Sequence, residues 1–302
     1  MALPKISIRV ALDWTPNTIH SGLFLAKATG IYDKHGLDVE LLSAGPDYGK
    51  TPARRLQDGE VDLAICPSES CIAYQQSGKM PLRAIYAILQ RDASAIVSTK
   101  LSKISELGDG KVYGSYNARY EDDVVRAMIR HDGGGADGVK LERQQGKLSL
   151  FQSLREGRVD ATWIFMPWEG IEAELDGVKL NIFRAGDAGI PYGYSPVIAH
   201  DALSAKPSGD VLRKFCAATE EGYRVAMEDV TQAVNVLSRH CDPPRSEEFL
   251  PRSQQAINEY YSDGSTPGQM SSQRWRTWVE WLSGQGLLGS DSVDVEQLFM
   301  NP

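Results

Sequence analysis

Residues that could recognise a small molecule follow the first strand-like run of the sequence. The apolar run Ile6 to Leu12 is followed by "DWTPNTIH", in which Trp14, Asn17 and His20 stand close together. An indole offers a flat face on which a planar ring can stack, and an amide or an imidazole can donate and accept hydrogen bonds. Each residue also has an ordinary alternative: Trp14 can pack between strand and helix, Asn17 can cap the following helix, and His20 can be structural.

Polar and aromatic side chains also follow the later predicted strands. In open α/β sheets, ligands bind beyond the carboxyl ends of the strands, where loops lead into helices, so these positions supply the other candidates. They are Ser68, Glu69 and Ser70, then Tyr116, Asn117 and Arg119, then Trp168 and Glu169, and finally Tyr192 and Tyr194. Together with the first group they form the predicted ligand-binding set.

Several of these candidates have a structural interpretation beside the functional one. Glu69 can accept a charge-assisted hydrogen bond from a ring amino group, or it can favour its helix N-terminus through the helix dipole. Arg119 follows a turn that contains Gly114. Exposed N–H groups at such a turn can receive an anion that Arg119 neutralises, and a surface arginine is the alternative. Tyr192 and Tyr194 share one face if the chain is extended, where they can contact a planar ligand or pack in the core.

An alternation of strand and helix patterns positions these residues. Short β-branched runs alternate with helical patterns from the N-terminus, and the alternation starts again after "QRDASAIVST". The second series includes "VKLERQQ" as a strand and "LSLFQSLREGR" as a helix. Such an order is typical of mostly parallel sheets flanked by helices, an α/β fold. The C-terminal part is predicted to be helical, with Trp275, Trp278 and Trp281 spaced as a core-facing stripe.

A repeated pattern suggests two similar lobes. "LQDGEVDLAICP" at residues 56–67 and "LREGRVDATWIFMP" at residues 154–167 share Leu-x-acid-Gly-x-Val-Asp, followed by an apolar strand that ends at proline. In each copy a glycine ends a helix and a proline stops the strand ladder. We predict a first lobe of residues 1–93 plus 195–302 and a second lobe of residues 94–194. Chance similarity of two helix-Gly-strand units is the alternative.

Composition and charge disfavour several classes of protein. The chain has 302 residues, 42% of them hydrophobic and 24% charged, and no apolar run of the length that a membrane helix needs. A net charge of −8 without a basic cluster disfavours nucleic-acid binding. Four cysteines without a CxxC pair or a histidine at zinc spacing predict buried thiols, and we predict neither a metal nor a cofactor. The N-terminal pattern lacks a secretory signal, which favours a cytoplasmic protein.

Three stretches carry a resemblance to a known family. They are "DWTPNTIHSGLFLAKATGIYDKHGLDVELL", "LQDGEVDLAICPSES" and "LREGRVDATWIFMPWEG". These stretches resemble the thiamine-pyrimidine synthase family of fungi and, equally, the bacterial periplasmic binding proteins for pyrimidines, sulfonates and taurine. The Trp-x-Pro-x-x-x-His element followed by "GLDV" is the specific part of the resemblance. It implies a two-lobed, type II periplasmic-binding-protein fold whose cleft closes on a ligand.

Two departures separate this chain from the synthase reaction. In the synthase, the lysine that binds pyridoxal phosphate and the histidine that is consumed as a substrate follow the Gly-x-Val-Asp strand. When the pattern is anchored on residues 59–62, Cys66 and Ser70 stand at those two places. The cysteine-rich iron-binding run of the synthase also has no counterpart between Gly186 and His200. The resemblance therefore supports the fold and a cleft, and not the synthase reaction.

These observations predict a binding protein. We expect an intracellular protein that closes two lobes on a small planar heteroaromatic or anionic molecule, and the resemblance implies a thiamine-precursor pyrimidine. The alternative is an enzyme of the same fold, either a lyase or dehydratase or an enzyme of thiamine-pyrimidine biosynthesis. In such an enzyme His20 or Glu69 would act as the general acid or base.

Overall fold

Two five-stranded sheets, each in its own compact unit, form the framework of the part of the chain that the structure describes. The structure is a computed structural model that describes residues 4–45, 48–143, 149–289 and 293–302. Unit 1 consists of Met1–Asp92 and Gly193–Pro302, and unit 2 consists of Ala93–Tyr192. The chain therefore leaves unit 1 once and returns to it once.

The strands alternate with helices along most of the chain. The strands are β1 (Ile6–Ala11), β2 (Leu37–Leu42), β3 (Leu63–Cys66), β4 (Leu82–Ala87), β5 (Ser94–Ser98), β6 (Val112–Ser115), β7 (Lys140–Arg143), β8 (Ala161–Phe165), β9 (Asn181–Phe183) and β10 (Val197–Asp201). The helices are α1 (Ser21–Ala28), α2 (Ile31–Lys34), α3 (Pro52–Gln57), α4 (Ser68–Ser77), α5 (Glu121–His131), α6 (Leu150–Arg155), α7 (Ile171–Leu175), α8 (Gly209–Glu228), α9 (Val230–Leu237), α10 (Phe249–Tyr261), α11 (Ser272–Gly284) and α12 (Val295–Leu298).

The sheet of unit 1 has the strand order β2-β1-β3-β10-β4. β1 pairs in parallel with β2 and β3, whereas β10 runs antiparallel to both of its neighbours. Parallel neighbours need long crossover connections, and helices α1 to α3 lie in the connections between β1, β2 and β3. Because β1 and β3 are adjacent and parallel, the loops that follow their carboxyl ends emerge at the same edge of the sheet.

The sheet of unit 2 repeats this arrangement with the order β7-β6-β8-β5-β9. β6 is parallel to β7 and β8, and β5 is antiparallel to β8 and β9. In each unit the antiparallel strand is the one that the chain forms directly after it arrives from the other unit. The prediction of mostly parallel sheets flanked by helices is confirmed.

The repeated sequence pattern forms the same local structure in both units. After α3 and after α6 a glycine adopts a positive φ, +74° in the first copy and +71° in the second, a conformation that favours glycine. The Asp62 carboxylate accepts a hydrogen bond from the Arg9 N–H at 2.8 Å, and the Asp62 N–H donates to the Arg9 carbonyl. Asp160 makes the same two bonds with Val112, also at 2.8 Å to the carboxylate. This agreement argues against chance similarity, because each aspartate ties its strand to the first parallel strand of its unit.

Some predicted elements differ from the structure. The helix predicted over "SGLFLAKATGIYDKHG" is interrupted at Gly30, whose φ of +73° separates α1 from α2. Residues 144–148, at the junction of the predicted strand "VKLERQQ" and helix "LSLFQSLREGR", lie outside the described residues. The core-facing tryptophan stripe is confirmed for Trp275 and Trp278, which are fully buried on α11, and half-buried Trp281 stacks on Trp278. None of the helices within the described ranges is both long enough and apolar enough to cross a membrane.

Candidate functional site

A buried histidine and a partly exposed aspartate lie in the loop that follows β1. His20 is 0% exposed, and the backbone N–H of Asn17 donates to His20 Nδ1 at 3.3 Å. Because Nδ1 accepts this bond, Nε2 carries the proton and donates to Asp13 Oδ1 at 2.8 Å. The Asp13 side chain is 24% exposed. His20 therefore fixes the orientation of a carboxylate that remains accessible.

This geometry gives His20 a different role from the predicted one. With both ring nitrogens engaged and no exposed surface, His20 can neither contact a ligand nor exchange a proton with it. The enzyme alternative assigns the role of general acid or base to His20 or Glu69, and this role does not fit His20. Asp13 was not among the predicted residues. It stands directly before Trp14, and its carboxylate could have marked it as a candidate ligand contact.

Asn17 is committed to the backbone of its own turn. Its Oδ1 accepts a hydrogen bond from the Ile19 N–H at 2.8 Å, and its Nδ2 donates to the Thr15 carbonyl at 3.0 Å. The first bond caps the 3₁₀ turn Thr18–His20. We predicted a ligand contact for Asn17, and the structure favours the capping alternative because the ends of its amide are already bonded within the turn.

Replacing Asn17 with alanine is expected to lower the free energy of unfolding by about 1 kcal/mol, the typical value of a lost N-cap. Urea denaturation measures this change. Thr51→Ala is the matched comparison, since Thr51 caps α3 in the same unit by accepting from the Arg54 N–H. An Asn17→Ala protein of unchanged stability that has lost ligand binding would favour the direct contact instead.

Trp14 pairs with a tyrosine from another loop of unit 1. The Trp14 and Tyr48 ring centroids lie 4.6 Å apart with an interplanar angle of 40°. Tyr48 lies in the loop after β2 and has a φ of +50°, in the left-handed region that few residues other than glycine adopt. Burial raises the pKa of the Tyr48 hydroxyl, and hydrogen bonding with Thr15 opposes this increase. Asp13, Trp14 and Tyr48 together, which we call the β1-loop cluster, combine a carboxylate with two aromatic rings.

The predicted residues that follow β3 are built mainly into the first turn of α4. Ser68 is buried; its N–H donates to the Tyr194 carbonyl at 2.9 Å, and its hydroxyl donates to the Glu69 carboxylate at 3.2 Å. Glu69 is also buried, whereas Ser70 is partly exposed. Tyr194, which we placed in the second lobe, is buried in unit 1, where its hydroxyl accepts from the Ser271 N–H at 2.9 Å. These contacts give Ser68 and Tyr194 structural roles.

In unit 2 a carboxylate of the protein itself occupies the turn after β6. Glu121 is buried at the start of α5, and it accepts hydrogen bonds from the N–H groups of Tyr116 at 3.1 Å and Ala118 at 3.0 Å. The Tyr113 hydroxyl donates to the same carboxylate at 2.8 Å. Burial raises the pKa of Glu121, and these hydrogen bonds oppose the increase. We expected these N–H groups to bind an external anion. Such an anion would first have to displace the Glu121 carboxylate.

Two further predicted residues lie on the exposed side of this turn. Asn117 has a φ of +57°, and its N–H donates to Ser115 Oγ at 3.0 Å. The guanidinium carbon of Arg119 lies 5.9 Å from the centre of the Tyr120 ring. Arg119 thus matches the surface-arginine alternative, with its charge over an aromatic ring of its own turn.

Aromatic residues lie in and after β8 of unit 2. The rings of Trp163 and Tyr192 are half-buried, and their centroids lie 5.5 Å apart with an interplanar angle of 45°. Trp168 is buried in the π-helical turn Met166–Gly170, a type of turn found often at functional sites. Tyr192 therefore keeps an exposed face, whereas Trp168 contributes mainly to packing. Trp163 was not predicted, although it stands inside the second copy of the repeat.

A carboxylate accompanies these aromatic residues in unit 2. Glu169 Oε2 accepts a hydrogen bond from the Phe165 N–H at 3.0 Å, which closes the π-helical turn. Burial raises the pKa of the Tyr116 hydroxyl, and the charges of Glu169 and Glu121 raise it further. Tyr116 and Glu169 are thus close enough to interact. Each unit therefore presents aromatic rings and a carboxylate near the carboxyl ends of its parallel strands.

Comparison with known proteins assigns a family to this framework. A family model described as NMT1/THI5 like matches residues 17–233 of the chain. This chain belongs to the NMT1/THI5-like family. The matched region begins within the loop after β1, contains both copies of the repeat and includes all of unit 2.

Individual relatives of this NMT1/THI5-like protein agree with the assignment. The formylaminopyrimidine-binding protein of Halalkalibacterium halodurans is 24% identical over 291 residues, which cover 93% of this chain and 86% of that protein. The alkanesulfonate-binding protein SsuA from Xanthomonas axonopodis pv. citri, solved with bound MOPS, matches with a TM-score of 0.74 at 15% identity, covering 100% of both chains. A Candida albicans protein with the generic periplasmic binding protein fold matches with a TM-score of 0.68 at 18% identity, over 99% of this chain and 97% of that one. The predicted two-lobed periplasmic-binding-protein fold is therefore confirmed.

Proposed function

We propose that this NMT1/THI5-like protein binds a small planar heterocycle with N–H donors, a thiamine-precursor pyrimidine of the formylaminopyrimidine kind, and that its two lobes close on it. The observation that carries the proposal is the orientation of Asp13 by buried His20, next to the Trp14–Tyr48 ring pair. The name of the H. halodurans relative, a formylaminopyrimidine-binding protein, supports the same ligand class.

The β1-loop cluster suits an aminopyrimidine in both shape and charge. A flat ring can stack on Trp14, a contact that contributes on the order of 1 kcal/mol beyond burial. A carboxylate is a pure acceptor, and a hydrogen bond to a charged group contributes about 1.5–3 kcal/mol. Asp13 uses Oδ1 for His20, so Oδ2 is the oxygen that would accept from the exocyclic amino group of the ligand.

The same contacts disfavour the anionic ligands that the sequence left open. Glu121 already occupies the N–H groups after β6, and Asp13 and Glu169 add negative charge near the strand ends of their own units. An anion placed beside a carboxylate is repelled, whereas a neutral or cationic N–H donor is attracted. The proposal therefore commits to a donor-bearing heterocycle and not to a sulfonate or phosphate.

Isothermal titration calorimetry with formylaminopyrimidine, and with MOPS as an anionic comparison, tests the function. We expect saturable binding of the pyrimidine and no binding of MOPS. At a ligand concentration of about 100 times Kd, the pyrimidine should raise the free energy of unfolding by about 2.7 kcal/mol, which thermal denaturation detects. Binding of MOPS without binding of the pyrimidine would contradict the proposal.

Trp14→Leu is expected to weaken pyrimidine binding about fivefold, the equivalent of about 1 kcal/mol of lost stacking. Calorimetry with the purified variant measures the change in Kd. Trp281→Leu is the control, because Trp281 is also a half-buried tryptophan in a ring pair of unit 1 but belongs to the α11 stripe. Equal losses in the two variants would indicate a general effect on stability instead of stacking.

An intracellular location is part of the proposal. All four cysteines, Cys66, Cys71, Cys216 and Cys241, are buried and free, and reduced thiols are usual in the cytosol. Fractionation of cells that express the untagged protein from its own gene would test the location. Recovery in an extracytoplasmic fraction would contradict it.

A further inference from the structure

One arginine of unit 1 contacts both segments that connect the two units. Arg274 lies on α11, and its Nη1 donates a hydrogen bond to the carbonyl of Gln90, two residues before the chain leaves unit 1. Its Nη2 donates to the carbonyl of Gly193 at 2.9 Å, at the residue where the chain returns. The guanidinium carbon also lies 4.0 Å from the centre of the Tyr194 ring. A single planar side chain thus fixes the unit 1 end of each connection.

Neighbouring contacts hold the backbone of the outgoing connection in place up to Gln90, and the Arg91 side chain donates a hydrogen bond to the Glu259 carbonyl and lies over the Tyr260 ring. The Gln90 N–H donates to the Tyr260 carbonyl at 2.7 Å, and its side-chain Nε2 donates to the Gln269 carbonyl at 3.0 Å. Two residues earlier, the Ile88 N–H donates to the Pro196 carbonyl at 3.0 Å, which links this connection to the returning one. The backbone through Gln90 therefore belongs to the rigid part of unit 1.

The returning connection is held equally closely at Gly193. A Cβ atom at this position would lie 2.4 Å from Ser68 Oγ and 2.6 Å from Trp278 Cδ1, so only glycine fits against these side chains. The next residue, Tyr194, accepts the Ser68 N–H through its carbonyl and the Ser271 N–H through its hydroxyl. The backbone from Gly193 onward is therefore also anchored in unit 1.

On the other side, both connections are soon bonded within unit 2. The Ala93 carbonyl accepts from the Met166 N–H at 2.9 Å. The Tyr192 N–H donates to the Ile190 carbonyl at 2.9 Å, and its ring packs on Trp163. Between these backbone hydrogen bonds lie residues 91–92 on the outgoing connection and the junction of residues 192 and 193 on the returning one.

We propose that Arg274 is a positioning residue for ligand binding, which clamps the two connections and confines the backbone rotation of lobe closure to residues 91–92 and 192–193. This inference rests on the proposed function, because it requires closure. Hinges of this kind are a few residues that absorb a change in φ and ψ. Arginine suits the role because its planar fork presents several fixed N–H donors to two carbonyls at once, whereas a lysine ammonium is a flexible point charge.

Loss of the clamp should cost affinity without removing any ligand contact. In Arg274→Lys the two connections become looser in the ligand-free protein, and binding must then order them. Ordering the backbone of about one additional residue corresponds to roughly tenfold weaker binding. Arg276→Lys is the matched control, because Arg276 lies on the same helix but is exposed and pairs with Glu296 at 3.5 Å.

Hydrogen–deuterium exchange on the wild type, Arg274→Lys and Arg276→Lys tests the clamp, first without ligand. We expect faster exchange in residues 88–94 and 190–196 of Arg274→Lys, unchanged exchange in β1 and β6, and no change in Arg276→Lys. Unchanged exchange in the two connections, or a uniform increase throughout unit 1, would overturn the proposal. If the lysine variant does not fold, Arg274→Gln, which removes the guanidinium fork and its charge, takes its place with the same expectations.

Addition of formylaminopyrimidine then separates this inference from the proposed function. With the wild type, ligand-linked protection within the connections should centre on residues 91–93 and 192–193, and Arg274→Lys should bind about tenfold more weakly. A ligand-linked change that extends through residues 88–90 would overturn the clamp. Failure of the wild type to bind the pyrimidine would count against the proposed function, while the ligand-free exchange would still decide whether Arg274 clamps the connections.

Discussion

Asp13→Asn is expected to weaken formylaminopyrimidine binding by about 10- to 150-fold, the equivalent of losing a hydrogen bond to a charged group. The reason lies in His20, whose Nε2 carries a proton and requires an acceptor at 2.8 Å. An asparagine at position 13 must turn its carbonyl oxygen toward His20, so its NH₂ group points where the carboxylate had accepted. The amino group of the ligand would then meet a donor instead of an acceptor.

Calorimetric titration of the Asp13→Asn variant measures this loss. Asp33→Asn is the matched control, since Asp33 is an exposed aspartate of unit 1 that pairs with Lys5 at 2.7 Å, and its affinity should be unchanged. The free energy of unfolding of Asp13→Asn should change little, because its carbonyl still satisfies His20. An Asp13→Asn protein with wild-type affinity would remove Asp13 from the ligand-binding set.

The second large effect concerns the dependence of stability on pH, through His200 on β10. His200 is 6% exposed, and neither ring nitrogen has a hydrogen-bond partner among the described residues. The pKa of His200 is lowered from 6.5 to about 4, mainly by burial and also by the charge of Arg83, while Asp201 opposes the shift. Between these two values the unfolded chain binds a proton at His200 and the folded protein does not.

The sign of the effect follows from this difference. Above pH 6.5, His200 is neutral in both the folded and the unfolded protein, and its titration costs no stability. As the pH falls toward 4, protonation of His200 in the unfolded chain lowers the free energy of unfolding, and the loss reaches about 3 kcal/mol at pH 4. Carboxylates whose pKa is lowered in the folded protein, such as Asp62 next to Arg9, also make the protein less stable in acid. The wild type and the variant must therefore be compared. The difference between their curves isolates His200.

Urea denaturation from pH 4 to pH 8 measures these curves. His200→Leu should keep about 3 kcal/mol more of its neutral-pH stability at pH 4 than the wild type does. It should also be at least as stable at pH 7, because it removes two buried nitrogens without partners. His131→Leu, which replaces an exposed histidine of unit 2, is the control and should follow the wild-type curve. Parallel curves for His200→Leu and the wild type would contradict the assignment.

Local signals made much of the fold predictable. The alternation of strand and helix patterns, the glycines that end α3 and α6 and the prolines after β3 and β8 act over a few residues, and the structure forms them as the patterns indicate. The sequence did not show the role of the aspartate in each copy of the repeat, because Asp62 and Asp160 bond to strands about fifty positions earlier in the chain. The repeated pattern identified the two aspartates. Their hydrogen bonds with the backbone of Arg9 and Val112 explain why each copy carries an aspartate at this position.

The candidate site was predictable in composition but not in the role of each residue. "DWTPNTIH" correctly marked the loop after β1 as a concentration of aromatic and polar side chains. It did not show that Asn17 and His20 turn inward to bond the loop itself and leave Asp13 accessible. Tyr48 could not be assigned to this group, because it comes from a different loop that carries no periodic pattern.

By itself, the sequence determined the α/β character, the duplicated unit and the loop in which ligand-facing residues are sought. Only the tertiary structure decided which side chains of that loop are buried. α10, more than two hundred residues away in the chain, covers the turn: the hydroxyls of Thr18 and Ser253 lie 2.8 Å apart, and the Tyr261 hydroxyl donates to the Thr18 carbonyl. These contacts enclose the turn that holds His20, and within it both imidazole nitrogens of His20 are bonded to residues of the same loop. Burial depends on distant residues, and for that reason the spacing within "DWTPNTIH" could not separate the positioning histidine from the aspartate it orients.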